Sequence, residues 1–327
     1  MLLEVRDLHV EFPTRDGVAH AVNGVTCAVD AGETLAVLGE SGSGKSVTAQ
    51  AVMGILDMPP GRITGGRILF RGQDLLTLKE GERRRIRGTG MAMIFQDALS
   101  ALNPVLSVGD QLGEMFVVHR GMSRKDARAR AVELMDRVRI PAAAQRVRDY
   151  PHQFSGGMRQ RIMIAMAMAL EPALIIADEP TTALDVTVQA QVMDLLAELR
   201  REYRMGLVLI THDLGVVADV ADRIAVMYAG RIVESAPVHD LYKSPAHPYT
   251  RGLLDSVPRL DRKDRELYAV GGLPPSLTDI PAGCPFHPRC PLVRDVCRTD
   301  VPPLYEVAGA RGSACHFWRE CLHGPDH

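Results

Sequence analysis

The segment Gly39-Glu-Ser-Gly-Ser-Gly-Lys45-Ser46 places three glycines, three serines and one lysine in the spacing G-x-x-x-x-G-K-S. Those residue types at that spacing are suited to gripping a polyphosphate anion. Gly39, Gly42 and Gly44 let the backbone wrap closely where a Cβ would clash or forbid the needed φ. Ser41, Ser43 and the loop N–H groups line the turn, and a helix N-terminus follows them. Lys45 would then reach the β- and γ-phosphates of ATP, and the Ser46 hydroxyl would ligate Mg²⁺.

A second chemical element is Asp178-Glu179, which ends the apolar run Leu174 to Ala177. Asp178 is placed to act on Mg²⁺ and Glu179 to polarise water as a general base. A third is Phe154-Ser155-Gly156-Gly157, which opens a helix running to Leu170 and offers another anion site at a helix start. Because the phosphate loop already serves one nucleotide, a second such helix start suggests a dimer with nucleotide sandwiched between subunits.

The elements that must position these groups alternate. Leu2 to Phe12 and Val18 to Val29 read as strands across a turn at Thr14 to Gly17, and Thr34 to Leu38 is a buried strand leading into the phosphate loop. Gly65 to Phe70 and Met91 to Phe95 are further strands, the latter entering a loop at Gln96-Asp97. Val108 to Val118 and Ser123 to Val138 are helical, with Asp126 three residues after Ser123 as a capping-box-like start. Thr187 to Arg201 is an amphipathic helix, and Gly206 to Ile210 is a strand ending at Thr211-His212-Asp213. Ile224 to Tyr228 and Arg231 to Glu234 form a closing hairpin. This alternation predicts an α/β fold with a parallel-rich sheet and its ligand at the carboxyl edge. Beyond about residue 236 the chain turns to Pro, His, Cys and Gly with little periodicity, which places a boundary there.

Composition narrows the function class. The chain has 327 residues, 46% apolar and 24% charged, with a net charge of −2, which describes an ordinary globular protein. That charge supplies no overall basic field for nucleic acid. The basic clusters at Arg83 to Arg87 and Arg124 to Arg130 read as solvated helix faces. No apolar run reaches the roughly 18 residues of a membrane span, and Met1-Leu-Leu-Glu-Val-Arg does not look like a signal peptide. A cytoplasmic location is expected, with membrane association only through partners.

In order and spacing, these motifs make residues 1 to about 255 resemble the nucleotide-binding subunit of an ATP-binding cassette (ABC) transporter. The resemblance implies a P-loop NTPase cassette over 1–235, with a RecA-like core, an antiparallel β subdomain and a helical subdomain at about 97–165. It places Phe12 against adenine, and Gln96 on Mg²⁺ and water, from where it senses the membrane subunits. Ser155-Gly156-Gly157 would grip ATP held by the partner subunit, Ala183-Leu184-Asp185 would cross the dimer interface, and His212 would touch the γ-phosphate. Two positions depart from the family pattern. Met158 stands where a glutamine is usual, and Thr182 where a serine is. Lys45, Ser46, Asp178, Glu179 and His212 are all present, so an active site is expected.

Ile94 to Pro104, Ser244 to Thr250 and Gly283 to Pro291 are similar to the oligopeptide/dipeptide permease branch, which also includes nickel and other small-solute importers. The branch implies uptake of peptides delivered by an extracellular binding protein to two membrane subunits. On family grounds it also implies a second ATPase subunit forming a heterodimer, with the ATPases on the cytoplasmic face of the membrane. A soluble cassette ATPase of DNA repair or translation is the rival reading. It lacks support because no long coiled-coil insertion or second cassette occurs, and exporters commonly fuse membrane helices that are absent here.

Cysteine use is lopsided. Cys27 stands alone early, while Cys284, Cys290, Cys297, Cys315 and Cys321 crowd residues 236–327. In a cytosolic protein that pattern favours metal over disulfides. The first four are separated by five, six and seventeen residues, without the short knuckles usual for Zn²⁺. Such thiolates on a proline-punctuated loop can enclose an iron–sulfur cube. The branch's peptide importers carry such a cluster, which implies [4Fe–4S] on Cys284, Cys290, Cys297 and Cys315. Zn²⁺ or unligated thiols are the alternatives, Cys321 could replace Cys315, and His287 and His316 could compete as ligands.

Overall fold

The computed structural model describes residues 1–182, 184–256 and 270–323. Twelve strands occur among them: β1 Leu3–Thr14, β2 Gly17–Val29, β3 Thr34–Leu38, β4 Arg62–Phe70, β5 Gln73–Asp74, β6 Met91–Ile94, β7 Leu174–Asp178, β8 Gly206–Ile210, β9 Arg223–Tyr228, β10 Arg231–Pro237, β11 Tyr305–Glu306 and β12 Gly312–Ser313. They form an antiparallel sheet ordered β2-β1-β4-β5 and an eight-stranded sheet ordered β11-β12-β10-β9-β3-β8-β7-β6. From β9 to β6 the larger sheet is parallel.

The parallel strands read as unbroken apolar runs because both faces are covered. Ile175, Ala177, Leu207 and Leu209 face one core, shared with helices Val108–Arg120, Arg124–Arg137, Gly156–Met168 and Val186–Tyr203. Leu174, Ile176, Val208 and Ile210 alternate with them and face a second core, with helix Lys45–Met53 and the antiparallel sheet. Ser123 caps its helix as the spacing predicts: its hydroxyl accepts from the Asp126 N–H at 3.2 Å and donates to the Asp126 carboxylate at 2.6 Å.

Register decides where the chemistry lies. Val37 and Asp178 both pair with Ile210, and Ile94 pairs with Ala177. The carboxyl ends of β3, β6, β7 and β8 therefore open on one edge. From it emerge the Gly39 loop, Gln96, Glu179 and His212.

The change of composition near residue 236 falls inside β10, which continues to Pro237. The tail also adds strands to the same sheet, with Glu234 opposite Ser313 and Tyr305 opposite Ser313. Two-residue strands have no periodicity to read, so sequence patterning could not reveal them. A third core joins tail to cassette, packing Tyr249 and Phe286 against Tyr228, Leu38 and Val226. No described helix is long and apolar enough to cross a membrane.

Candidate active site

The phosphate loop takes the backbone path its glycines permit. Gly39 has φ +153° and Gly44 φ +102°, and a Cβ would lie 2.3 Å from the Met227 carbonyl oxygen or 2.2 Å from that of Ala21. Lys45 is buried, and its Nζ donates to the carbonyl oxygens of Gly39 at 2.8 Å and Glu40 at 3.0 Å. Burial pulls the Lys45 pKa down, against the raising influence of Glu179, Asp178 and Glu40. The buried Ser43 hydroxyl has no hydrogen-bond partner among the described residues, while Ser41 and Gly42 are both exposed.

Ser46, Asp178 and Glu179 lie side by side at the strand ends. Ser46 Oγ donates to Asp178 Oδ1 at 3.0 Å. Burial pushes the Asp178 carboxyl up, the Ser46 hydrogen bond opposes it, and Glu179 adds to the rise. Glu179 Oε2 accepts from Gln96 Nε2 at 3.2 Å and from Thr182 Oγ1 at 3.0 Å, and His212 Nδ1 lies 3.4 Å away. Three groups from separate segments thus converge on one carboxylate oxygen. Glu179 also has φ +46°, a left-handed backbone that costs a non-glycine residue about 1 kcal/mol or more. Its N–H is fixed to the Ile210 carbonyl oxygen at 2.8 Å. The His212 side chain is 64% exposed, so it stands at the mouth of the site.

Other expected groups make no hydrogen bond to this cluster among the described residues. Ser155 is exposed and caps helix Gly156–Met168, accepting from the Met158 N–H at 3.4 Å. Asp185 is exposed and caps helix Val186–Tyr203, accepting from the Val188 N–H at 2.9 Å. No hydrogen bond among the described residues joins Ser155, Gly156, Gly157 or Asp185 to Lys45 or Glu179. Ala183 lies outside the described residues. Phe12 is half-buried on β1 and packs against the core beneath the antiparallel sheet.

Comparisons with known proteins agree with this geometry. A family model described as "ABC transporter" matches residues 22–182, and one described as "Oligopeptide/dipeptide transporter, C-terminal region" matches 233–297. The "Dipeptide transport ATP-binding protein DppD" of Bacillus subtilis is 54% identical over 92% of this chain and 90% of its own length. The "Oligopeptide transport ATP-binding protein OppD" of Salmonella typhimurium is 51% identical over 96% of this chain and 93% of its own. This chain belongs to the ATP-binding subunits of ABC transporters, in the oligopeptide/dipeptide branch. A solved relative of the fold is the dimeric ATP-binding cassette MJ0796 in a post-hydrolysis state with ADP and Pi. It has a TM-score of 0.65 and 26% identity, and the match covers 72% of this chain and 98% of that one. ATP hydrolysis is the activity of the family to which the chain belongs.

Within this ABC subunit the two departures have structural answers. Met158 Sδ accepts from Arg146 Nη1 at 3.5 Å, so the position keeps a weak polar contact. Thr182 supplies a hydroxyl to Glu179, a contact that its family position alone did not reveal.

The branch motif around Ser244 to Thr250 is a buried seam. Glu234, fully buried, accepts from the Ala246 N–H at 2.7 Å and the His247 N–H at 2.9 Å. Burial pushes its carboxyl up to about 7 and pushes His247 down to about 3.

In the tail, Cys297 and Cys315 lie near enough to Cys284 and Cys290 to raise the thiol pKa of both. Burial is the larger cause, lifting Cys284 to about 11 and Cys290 to about 12. Cys321 sits beside Cys315 and shares a hydrogen bond with it. Among the described residues, no three His, Cys, Asp or Glu side chains are grouped to hold a metal ion. His287 Nδ1 is engaged by the Cys284 carbonyl oxygen at 3.0 Å. Both nitrogens of His316 are taken, by the Tyr305 hydroxyl at 3.2 Å and the Asp300 carbonyl oxygen at 3.0 Å. The competing-ligand role for His316 is therefore unsupported.

Proposed function

We propose that this chain is the ATP-hydrolysing subunit of an importer for dipeptides or oligopeptides, bound peripherally at the cytoplasmic face of the membrane. The observation that carries the reading is the meeting of Gln96, Thr182 and His212 on Glu179 Oε2, beside the Ser46–Asp178 pair. Likeness to peptide-transport subunits along nearly the whole chain supports the cargo class.

In this reading residues 1–235 form the cassette and 236–327 its branch-specific extension. Gly39 to Ser46 wrap the phosphates of ATP, and Phe12 stacks on adenine. Ser46, Gln96 and Asp178 hold Mg²⁺, which neutralises charge on the phosphates. Glu179 takes the proton of the attacking water, and His212 holds the γ-phosphate. Ser155, Gly156, Gly157 and Asp185 make no hydrogen bond to Lys45 among the described residues because they serve the nucleotide of a second ATPase subunit, a separate gene product. The dimeric state of MJ0796 supports a pair of cassettes, and the separate gene product is inferred from the branch alone. Closure moves Gln96 and with it two membrane permeases that receive peptide from an extracellular binding protein. ATP does mechanical work by favouring the closed conformation.

The extension carries a [4Fe–4S] cluster on Cys284, Cys290, Cys297 and Cys315. Four free, soft sulfur donors, two buried and two half-buried and near enough to influence one another, support it.

The test is uptake by proteoliposomes holding this chain, its sister ATPase, both permeases and the binding protein. Peptide should raise ATP turnover and be accumulated, and Lys45→Ala should abolish both. Accumulation of Ni²⁺ without peptide would overturn the cargo class, and unchanged turnover in Lys45→Ala would overturn the site.

A further inference from the structure

Glu40, inside the phosphate loop, is held from three sides. Its carbonyl oxygen accepts from Lys45 Nζ at 3.0 Å, and its N–H donates to the Tyr249 hydroxyl at 2.9 Å. Its carboxylate is gripped at both oxygens by Arg289, at 2.7 and 2.9 Å. Two of these three partners come from beyond residue 236, and Arg289 lies 249 positions from Glu40 in the chain.

Arg289 is built to stay there. Its side chain is 5% exposed. Nε donates to the Gly271 carbonyl oxygen at 2.8 Å, Nη2 also to that of Val270 at 3.2 Å, and Nη1 also to the Tyr228 hydroxyl at 3.3 Å. The guanidinium lies over the Tyr228 and Phe286 rings, 5.7 and 5.9 Å from their centroids. A planar fork saturated in this way is preorganised for a carboxylate, which a lysine would not reproduce.

The cost of the arrangement is evident in its charges. A carboxylate in a loop that must receive polyphosphate repels its own ligand, unless a cation stands against it. We propose that Arg289 is a positioning residue for the nucleotide site, delivered by the cysteine-rich tail to hold the Glu40 carboxylate, shape the phosphate loop and cancel its negative charge. The inference rests on reading Gly39 to Ser46 as the ATP loop. It makes the folded state of the tail a determinant of nucleotide affinity.

The two partners should then respond with opposite sign. The probe is the non-hydrolysable analogue AMP-PNP with Mg²⁺, titrated against the full-length chain. Arg289→Gln leaves an uncancelled carboxylate and should raise Kd about tenfold, whereas Glu40→Gln removes that carboxylate and should lower it about threefold. The Glu40→Gln/Arg289→Gln double variant should return to within about twofold of the wild type, and added salt should shrink the gap between the single variants. A pair that only braces the fold would weaken binding in both single variants with no recovery in the double, and that result overturns the proposal. So does an Arg289→Gln Kd within about twofold of wild type, given that the loss of a nearby compensating charge must register. Should Arg289→Gln fail to fold, Glu40→Gln decides alone: weaker binding overturns the proposal and tighter binding sustains it. Lys45→Ala separates the two levels. If it binds as wild type, the loop reading itself has failed; if it loses binding, the Arg289 outcome stands independently.

Discussion

At the carboxyl edge of the parallel sheet, each group of the ATP site stands within a few residues of a strand end. Gly39 follows β3, Gln96 follows β6, Glu179 follows β7 and His212 follows β8. In the tail, the contacts that hold structure together are made by single side chains rather than by strand register: Glu234 to Ala246, Ser313 to Ala246, Arg289 to Glu40. The edge is a local construction, in which strand register alone aligns the chemistry. The tail is held by buried polar groups, packed aromatic rings and thiols, because its segments are too short to carry a core of their own.

The sharpest way to break this comparison is Glu179→Gln. If the edge does the chemistry and the tail only supports it, kcat for ATP hydrolysis should fall about a thousandfold. ATP binding should persist, because Lys45 and Ser46 are untouched. A steady-state rate close to wild type would remove Glu179 from the role of base.

The middle-sized effect belongs to the tail. On the proposal of a cluster, wild-type protein purified anaerobically should be brown, and Cys290→Ser should abolish bound iron and inorganic sulfide, bleach it and lower its thermal stability, since metal-binding energy is folding energy. A colourless, zinc-loaded wild-type protein with an intact tail would defeat the cluster.

The contrast also explains what could be read before the fold was known. Gly206–Ile210 is bounded as its apolar run indicates, and helix Val186–Tyr203 exceeds the periodic stretch by a residue or two at each end. Lys45, Ser46, Asp178, Glu179, Gln96 and His212 come together as their motif types require, because phosphate and water chemistry dictates residue type at short spacing. The tail gave no comparable signal. Helices Val238–Lys243 and Pro248–Asp255 sit in proline- and histidine-rich sequence, and β11 and β12 have two residues each. Arg289 and Glu40 were individually unremarkable charges, since a pair so distant in sequence has no pattern to betray it. Nor could any spacing rule show that the His-Pro-Tyr stretch exists to satisfy a buried glutamate.

That glutamate provides the smallest test and the most specific one for the seam. Glu234 titrates near pH 7 in the folded protein because burial disfavours its charge, against 4.5 for an ordinary carboxyl. Between those values the native state holds a proton that the unfolded chain has released, so unfolding becomes easier as pH rises. Stability relative to Glu234→Gln, which cannot titrate, should therefore fall across pH 4.5 to 7 and level off above. The slope should average about 1 kcal/mol per pH unit, under the single-proton limit because the folded and unfolded titrations overlap at each end of that window. His247 titrates in the opposite sense, its neutral form being lost as pH falls toward about 3, but it is common to both proteins and cancels in the difference. Urea denaturation of the pair at intervals from pH 4.5 to 8 measures the slope directly. A flat difference would mean that Glu234 stays ionised throughout and that the seam is an ordinary hydrogen-bonded turn. A falling one would show that the tail is fastened to the cassette by a carboxyl whose charge is itself a burden on the folded state.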